Sequence, residues 1–189
     1  SLEYNIILLA PTGRAAKVLS AYSGKQAYTI HKNIYVQSSI EEGVGLFDLG
    51  YNRNKETLYF VDEASMISNS SFDSSFGSGE LLNDLINFIR NGRNNRLIFI
   101  GDDAQLPPVG EEESPALCKD MLQGYGLEVY ECLLTEVVRQ VNDSGILYNA
   151  TNIRHLISDD DIYSLPVISV SQFPDIKVIP GSELIEAIN

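Results

Sequence analysis

The sequence predicts an α/β fold, a mostly parallel β-sheet flanked by helices. Two apolar runs carry that reading. Leu58-Tyr59-Phe60-Val61 ends abruptly in Asp62-Glu63, and Arg96-Leu97-Ile98-Phe99-Ile100 ends in Gly101-Asp102-Asp103. Short runs of apolar, β-branched and aromatic residues read as strands buried on both faces. The third observation is what separates the strands: segments of helical period alternate with them, as crossover helices do in a parallel sheet. Open α/β sheets bind ligands at the carboxyl ends of their strands. Two acidic strand ends therefore point to a nucleotide-handling site.

The elements follow in order. Residues 4–10 read as a buried strand, Pro11-Thr12-Gly13 as a turn, and Thr12 can cap the helix that follows. That helix carries Ala15, Val18, Leu19 and Tyr22 at i, i+3, i+4, i+7 spacing. Residues 37–56 are rich in Gly, Ser, Asn and charge and read mostly as loop. After the Asp62 strand, residues 68–79 read as a mobile loop. Residues 80–90 form an amphipathic helix through Leu81, Leu82, Leu85, Ile86 and Ile89, stopped near Gly92. Beyond the next strand, Ser114-Pro115 opens another helix, with Ser as cap and Pro in the first turn. Residues 127–134 read as a strand, and Asp143 or Ser144 caps a helix carrying Ile146, Ala150, Ile153 and Ile157. Residues 159–175 are loop-like, Ile176–Ile179 is a short strand, and Ser182 starts a last helix.

Composition narrows the function class. The chain has 189 residues, 44% hydrophobic and 21% charged, an ordinary globular composition of about one domain. No apolar stretch approaches the ~20 residues that span a bilayer, and the N-terminus lacks a signal peptide's basic region. Cys118 and Cys132 have no metal-ligand spacing and fit reduced thiols in a cytoplasm. A net charge of −13 argues against a protein that coats phosphates generically, but leaves room for a narrow channel with a few basic contacts. The chain starts without Met and enters a strand at once, as a fragment of a longer protein would.

Several groups carry chemistry. Asp62-Glu63 offers one carboxylate for Mg²⁺ and a neighbouring Glu to orient or deprotonate a water; ending a strand is the simpler role for both. Gln105 can bond a γ-phosphate or its attacking water without adding charge, or serve as a turn residue ahead of Pro107-Pro108. Arg139 can grip phosphate with its planar fork, although single arginines are commonly solvated. Pro11-Thr12-Gly13-Arg14-Ala15-Ala16-Lys17 combines a helix N-terminus, a hydroxyl and two cations, which suits an anionic backbone; a capped helix with solvated cations would read the same way. Thr29-Ile30-His31-Lys32 offers a hydroxyl and an imidazole beside a cation. There is no G-x-x-x-x-G-K-[ST] phosphate loop in the sequence.

Taken together and in order, these segments resemble the RecD-like branch of the superfamily 1 DNA helicases, related to the exodeoxyribonuclease V alpha subunit. Leu9-Ala10-Pro11-Thr12-Gly13-Arg14-Ala15-Ala16 looks like that family's motif Ia, and Thr29-Ile30-His31 matches the segment after it. Val61-Asp62-Glu63-Ala64-Ser65-Met66 looks like motif II, the Walker B element. Gly101 to Val109 looks like motif III, and Leu134 to Gln140 like motif IV. The order and spacing of five segments make the match specific where any one would not be.

The resemblance implies a RecA-like P-loop NTPase domain whose phosphate-loop strand precedes residue 1. Residues 1–158 would be the first RecA-like domain, and 159–189 a strand and helix leading toward a second. It implies ATP and Mg²⁺ as cofactors and single-stranded DNA as partner, with nuclease or other helicase subunits alongside. Asp62 would hold Mg²⁺, Glu63 would act on the water, Gln105 would sense the γ-phosphate, and Arg139 would reach it. Pro11, Thr12, Arg14 and His31 would lie along the DNA track, and Pro107 and Pro108 would stiffen the link to it. Without the phosphate loop, this chain alone is expected neither to hydrolyse ATP at a useful rate nor to unwind DNA. The bared sheet edge is expected either to self-associate or to be covered by an upstream segment. Two other readings stand beside this one. One is a non-catalytic DNA- or protein-binding module on a RecA-like scaffold. The other is a Mg²⁺-dependent nuclease, which would gather more carboxylates than Asp62-Glu63 and Asp102-Asp103.

Overall fold

Four strands form one parallel sheet in the order β2-β1-β5-β6: β1 (Asn5–Ala10), β2 (Ala27–Thr29), β5 (Thr57–Val61) and β6 (Arg96–Phe99). The structure, a computed structural model, describes residues 4–41, 44–70, 76–134, 144–158 and 164–188. Residues 1–131 form one compact unit and 132–189 a second. The α/β class, the parallel sheet and the flanking helices are as the sequence predicts.

The chain crosses the sheet by helices, as parallel neighbours require. Helix α1 (Gly13–Ser23) leads from β1 to β2, and α3 (Leu81–Asn91) from β5 to β6. Thr12 caps α1, its Oγ1 accepting the Ala15 N–H at 3.2 Å. Thr29 caps the short α2 (Ile30–Ile34) in the same way through Lys32. The two faces of the sheet differ. Leu9, Tyr59 and Val61 are buried with Ile30, Ile34, Leu82, Leu85 and Ile86 of α2 and α3. Leu8, Ala10 and Ala27 pack with Ala16 of α1 on the opposite side. That side is thinly covered: Ile6, Ile98 and Ile100 remain 45%, 37% and 45% exposed. The strands are thus not equally buried on both faces, as their composition suggested. On α1 itself Val18 and Tyr22 of the expected apolar stripe are exposed, and Ala16 is the buried residue.

Residues 37–56 are not mostly loop. Strands β3 (Tyr35–Glu41) and β4 (Val44–Leu49) pair antiparallel, with a register shift between Gln37 and Ser39. Phe47 stacks on Phe76 at 4.7 Å, and Phe76 meets His31 and Tyr35 edge-on or tilted. Cross-strand pairing and this aromatic cluster outweigh the Gly and Ser content that reads as loop. Beneath the cluster, the Tyr35 hydroxyl donates to Asp84 of α3 at 2.8 Å, and Ser78 gives the same carboxylate its N–H and its hydroxyl.

Three further expectations fail. Helix α4 begins at Lys119 and runs to Gly124, not from Ser114, whose hydroxyl is bound to Ser65 O instead of capping. Residues 127–134 form no strand: Leu127 and Val129 pack on the core, but no sheet edge is hydrogen-bonded to them. Ile176–Ile179 is likewise irregular, with the Ile176 N–H turned back to Phe173 O.

In the second unit, α5 (Gly145–Ser158) is capped by Ser144, whose Oγ accepts the Leu147 N–H. Asp143 lies outside the described residues. The Asn149 side chain bridges Gly145 O and the Ser169 backbone, and Tyr148 meets Phe173 at 5.1 Å. Ile146, Ile153 and Ile157 of the expected apolar stripe are exposed. The last helix, α6 (Leu184–Ile188), follows a 3-10 turn at Gly181–Glu183.

Candidate functional site

The parallel order sets four loops side by side at the carboxyl edge of the sheet. His31 follows β2, Pro11-Thr12 follows β1, Asp62-Glu63 follows β5, and Asp102 to Gln105 follows β6. At about 4.8 Å per strand the row is about 15 Å long. Hydrogen bonds continue the ladder past the strand ends: Asp62 N–H to Leu9 O at 3.0 Å, Ile100 N–H to Val61 O at 2.8 Å, and Ala64 N–H to Ile100 O at 2.9 Å. The acidic pair is therefore held to β1 by Asp62 itself and toward β6 by its flanking residues Val61 and Ala64.

Asp62 and Glu63 are half-buried. Asp62 Oδ1 accepts the Glu63 N–H at 3.0 Å, which orients the carboxylate and leaves Oδ2 open. Glu63 has φ +54, left-handed backbone that a side chain other than Gly adopts at a cost. It opens a 3-10 turn over Ala64–Met66, with the Met66 N–H on Glu63 O. The turn sends Glu63 away from the strand direction while Ala64 and Ser65 go into the core. Among the described residues no three His, Cys, Asp or Glu side chains cluster to hold a metal. Asp62 alone fits a hard cation that takes one carboxylate and draws its other oxygens from phosphates and water, as Mg²⁺ does.

The loop after β6 is held at its ends. Asp102 O accepts the Gln105 N–H and Asp102 Oδ1 the Ala104 N–H, which folds Asp102–Gln105 into a turn with the Gln105 side chain exposed. Leu106 and Val109 are 90% and 97% exposed and Pro107 and Pro108 half-buried, so burial of apolar side chains does not fix this loop. Ties to the β5 loop do. Glu111 Oε1 accepts the Ser68 hydroxyl and the Asn69 N–H, and Ser114 Oγ donates to Ser65 O at 2.9 Å. Gly101 makes the crossing possible: a Cβ there would lie 3.0 Å from Ser65 N and 2.9 Å from Leu117 Cδ1. Sequence reasoning missed Glu111 and Ser68, and gave Ser114 a capping role in place of its bond to Ser65 O. The only signal for Glu111 was its place at the head of Glu111-Glu112-Glu113, soon after the Pro-Pro turn.

The other candidates are spread along the same edge. Thr12 is committed to its cap, and Arg14 is exposed on the first turn of α1. His31 is half-buried between Tyr35 and Phe76, with ring centroids 5.6 and 5.1 Å away. Arg139 lies outside the described residues, as does most of the Leu134–Gln140 segment. Among the described residues no helix is long and apolar enough to cross a membrane.

Comparison with known proteins agrees with this geometry. The chain is 32% identical over 152 residues to the ATP-dependent DNA helicase dda of Enterobacteria phage T4, covering 79% of this chain and 31% of that protein. It is 33% identical over 132 residues to an uncharacterised protein of Acanthamoeba polyphaga mimivirus, covering 58% of this chain and 24% of that one. The chain thus spans a third or less of these relatives. A family model described as AAA domain matches residues 1–161, a stretch that contains the whole parallel sheet and both acidic loops. With its RecA-like α/β sheet and its acidic strand ends, the chain belongs to that family of AAA domains.

Proposed function

We propose that this chain is part of the first RecA-like domain of a RecD-like superfamily 1 DNA helicase, which couples ATP hydrolysis to movement along single-stranded DNA in recombination or repair. The observation that carries the reading is the backbone ladder that sets Asp62-Glu63 beside the Asp102–Gln105 turn. Residues 1–158 would be the catalytic domain and 159–189 the approach to a second one, in a cytoplasmic protein with nuclease or other helicase subunits as partners.

The chain's own residues divide the work. Asp62, whose carboxylate is oriented by the Glu63 N–H, would hold the cation of ATP. That Mg²⁺, when bound, would neutralise phosphate charge. Glu63, beside it, accepts a proton from the attacking water or orients it. Gln105, exposed on its turn, reads the γ-phosphate by hydrogen bonds, and Arg139 grips it. The strand of DNA passes Pro11, Thr12, Arg14 and His31, and Pro107-Pro108 keeps the Gln105 turn stiff.

The test is phosphate release by the product of the complete reading frame, with Mg²⁺ and oligothymidylate. Stimulation by the oligonucleotide is expected, and Glu63→Gln should lower kcat by about 10²- to 10⁴-fold with little change in KM for ATP. The 189-residue chain by itself should release little phosphate, its sequence having no G-x-x-x-x-G-K-[ST] phosphate loop. A complete product without ATPase activity, or a Glu63→Gln variant as fast as its parent, overturns the reading.

A further inference from the structure

The amino edge of the sheet, opposite the acidic loops, carries the reverse charge. The segments that lead into β5 and β6, residues 51–57 and 89–97, hold Arg53, Lys55, Arg90, Arg93 and Arg96 against Glu56 alone, in a chain of net charge −13. All five cations are exposed, and none forms an ion pair with a described residue. Strand β5 is five residues long, so about 16 Å separates this edge from Asp62 and Glu63.

The two segments are stitched to each other. The Arg93 N–H donates to Asn54 O at 3.2 Å, and Arg93 O accepts the Glu56 N–H at 2.9 Å. The Asn95 side chain donates to Asn54 O at 3.2 Å and accepts the Thr57 N–H at 3.1 Å. Gly92 permits this closure, because a Cβ there would lie 2.0 Å from Asn95 Nδ2 and 2.7 Å from Asn54 O. The cations therefore stand on a fixed backbone, so a ligand orders their side chains and not the loops.

A pocket of about 240 Å³ opens beside them. Ile86, Ile89, Leu97 and Leu127 give it an apolar lining, and Arg90 stands in its wall. The Arg90 guanidinium reaches toward Gly126, where a Cβ would lie 3.8 Å from its Nη2. The pocket falls below the ~300–1,000 Å³ of small-molecule sites and suits one large apolar side chain. Its apolar lining is aliphatic, with no aromatic ring on which a base would stack. Arg and Tyr are the residue types that anchor protein partners, and Tyr51 is 76% exposed in the same segment as Arg53. The carboxylate next to Leu127, that of Glu128, accepts the Tyr130 hydroxyl.

We propose that this face docks an acidic segment of a partner protein. One large apolar side chain of the segment enters the pocket, and Asp or Glu residues flanking it meet Arg90 and Arg93. Charge complementarity and an apolar anchor together select such a segment over a uniformly acidic one. The proposal goes beyond the ATP and DNA reading and does not depend on it.

The experiment measures binding of a fluorescein-labelled, amidated hexapeptide, Asp-Asp-Glu-Phe-Asp-Glu, to the complete product of the reading frame by anisotropy, with thermal midpoints as the check of folding. Saturable binding by the parent is expected. Arg90→Ala with Arg93→Ala should weaken it about five- to ten-fold, as two exposed ion pairs are lost, and Arg90→Lys with Arg93→Lys should keep most of it. A peptide with Ser in place of Phe should bind the parent about ten-fold more weakly or worse. A parent that does not bind the peptide, an alanine pair that binds as tightly as the parent, or a Ser peptide as tight as the Phe peptide overturns the proposal. Arginine-dependent binding of oligothymidylate, with the peptide unbound, would also overturn it by assigning the face to nucleic acid.

Discussion

Glu111 and Asn69 lie 42 residues apart in the chain, yet Oε1 of Glu111 accepts the Asn69 N–H at 2.8 Å. The same oxygen takes the Ser68 hydroxyl and, more loosely, the N–H and hydroxyl of Ser70. One carboxylate thus ties the loop after β6 to the loop after β5.

Replacing that carboxylate should loosen the tie without unfolding the sheet. Hydrogen bonds to a charged group are worth about 1.5–3 kcal/mol, less at a partly exposed site. In Glu111→Ala, amide exchange at Asn69 and Ser70 should accelerate about ten-fold, while the strand amides keep their protection. Glu111→Gln retains an acceptor and should stay close to the parent. Equal exchange in the parent and the alanine variant would show that the tie does not hold the loop.

Burial and the hydrogen bond to Asp84 push the Tyr35 phenol well above its ordinary value. Below pH about 10 the hydroxyl is neutral in both folded and unfolded chains, and its contribution is constant. Above pH 10 the unfolded chain loses the proton while the folded chain keeps it, so stability falls as pH rises. Tyr35→Phe should cost about 1–3 kcal/mol at pH 7, because a buried carboxylate loses a donor, and should remove that part of the alkaline loss. Denaturant titrations of both proteins from pH 7 to pH 11 check it.

Gly77 has φ +51, and a Cβ there would lie 2.2 Å from Asp84 Oδ2 and 2.6 Å from Tyr35 Cε1. Gly77→Ala should cost more than either single loss in that network, about 3 kcal/mol or more, from strain and displacement of the buried pair. A thermal midpoint within a degree or two of the parent would contradict it.

Ser65 and Ser114 make a contrasting pair. Ser65 Oγ is buried with no hydrogen-bond partner among the described residues, whereas Ser114 Oγ satisfies Ser65 O. Ser65→Ala should be neutral or slightly stabilising, and Ser114→Ala should cost about 1–3 kcal/mol by stranding a buried carbonyl. Chemical denaturation of the two variants reads the difference directly.

The Asp175 carboxyl lies below its ordinary value of 3.8, chiefly because it accepts the Gly145 N–H, and Ser144 and Ile146 add to this. A lowered folded value means support for α5 that is present above pH 3.8 and lost as pH falls below it. Asp175→Asn should remove the acid-side loss of α5 helicity, seen by circular dichroism between about pH 5 and pH 2.

Local signals revealed what is local. The Thr12 cap, the helix over Leu81 to Ile89 and the strand ends at Asp62 and Asp102 were legible because spacing and capping chemistry determine them. Pairing was not. Residues 37–56 read mostly as loop from their Gly, Ser, Asn and charge content, yet β3 and β4 each supply the other's hydrogen bonds. Leu127 and Val129 are apolar and do meet the core, but a strand needs a neighbouring edge, which the sequence cannot indicate. The acidic pair stood out because charge after an apolar run is conspicuous. Glu111 did not, because its partners are serines and backbone amides 41 to 43 residues away.

The uneven charge of residues 4–131 acts before anything touches. Residues 4–40, at the β2 edge, hold four Lys or Arg and no Asp or Glu, while the loops after β5 and β6 are acidic, so the body is an electric dipole on which any nearby charged surface exerts a torque. Within a Debye length of about 8–10 Å the protein turns, so that collisions arriving from any side are sorted toward one face. Added salt would weaken that torque and leave the fold unchanged.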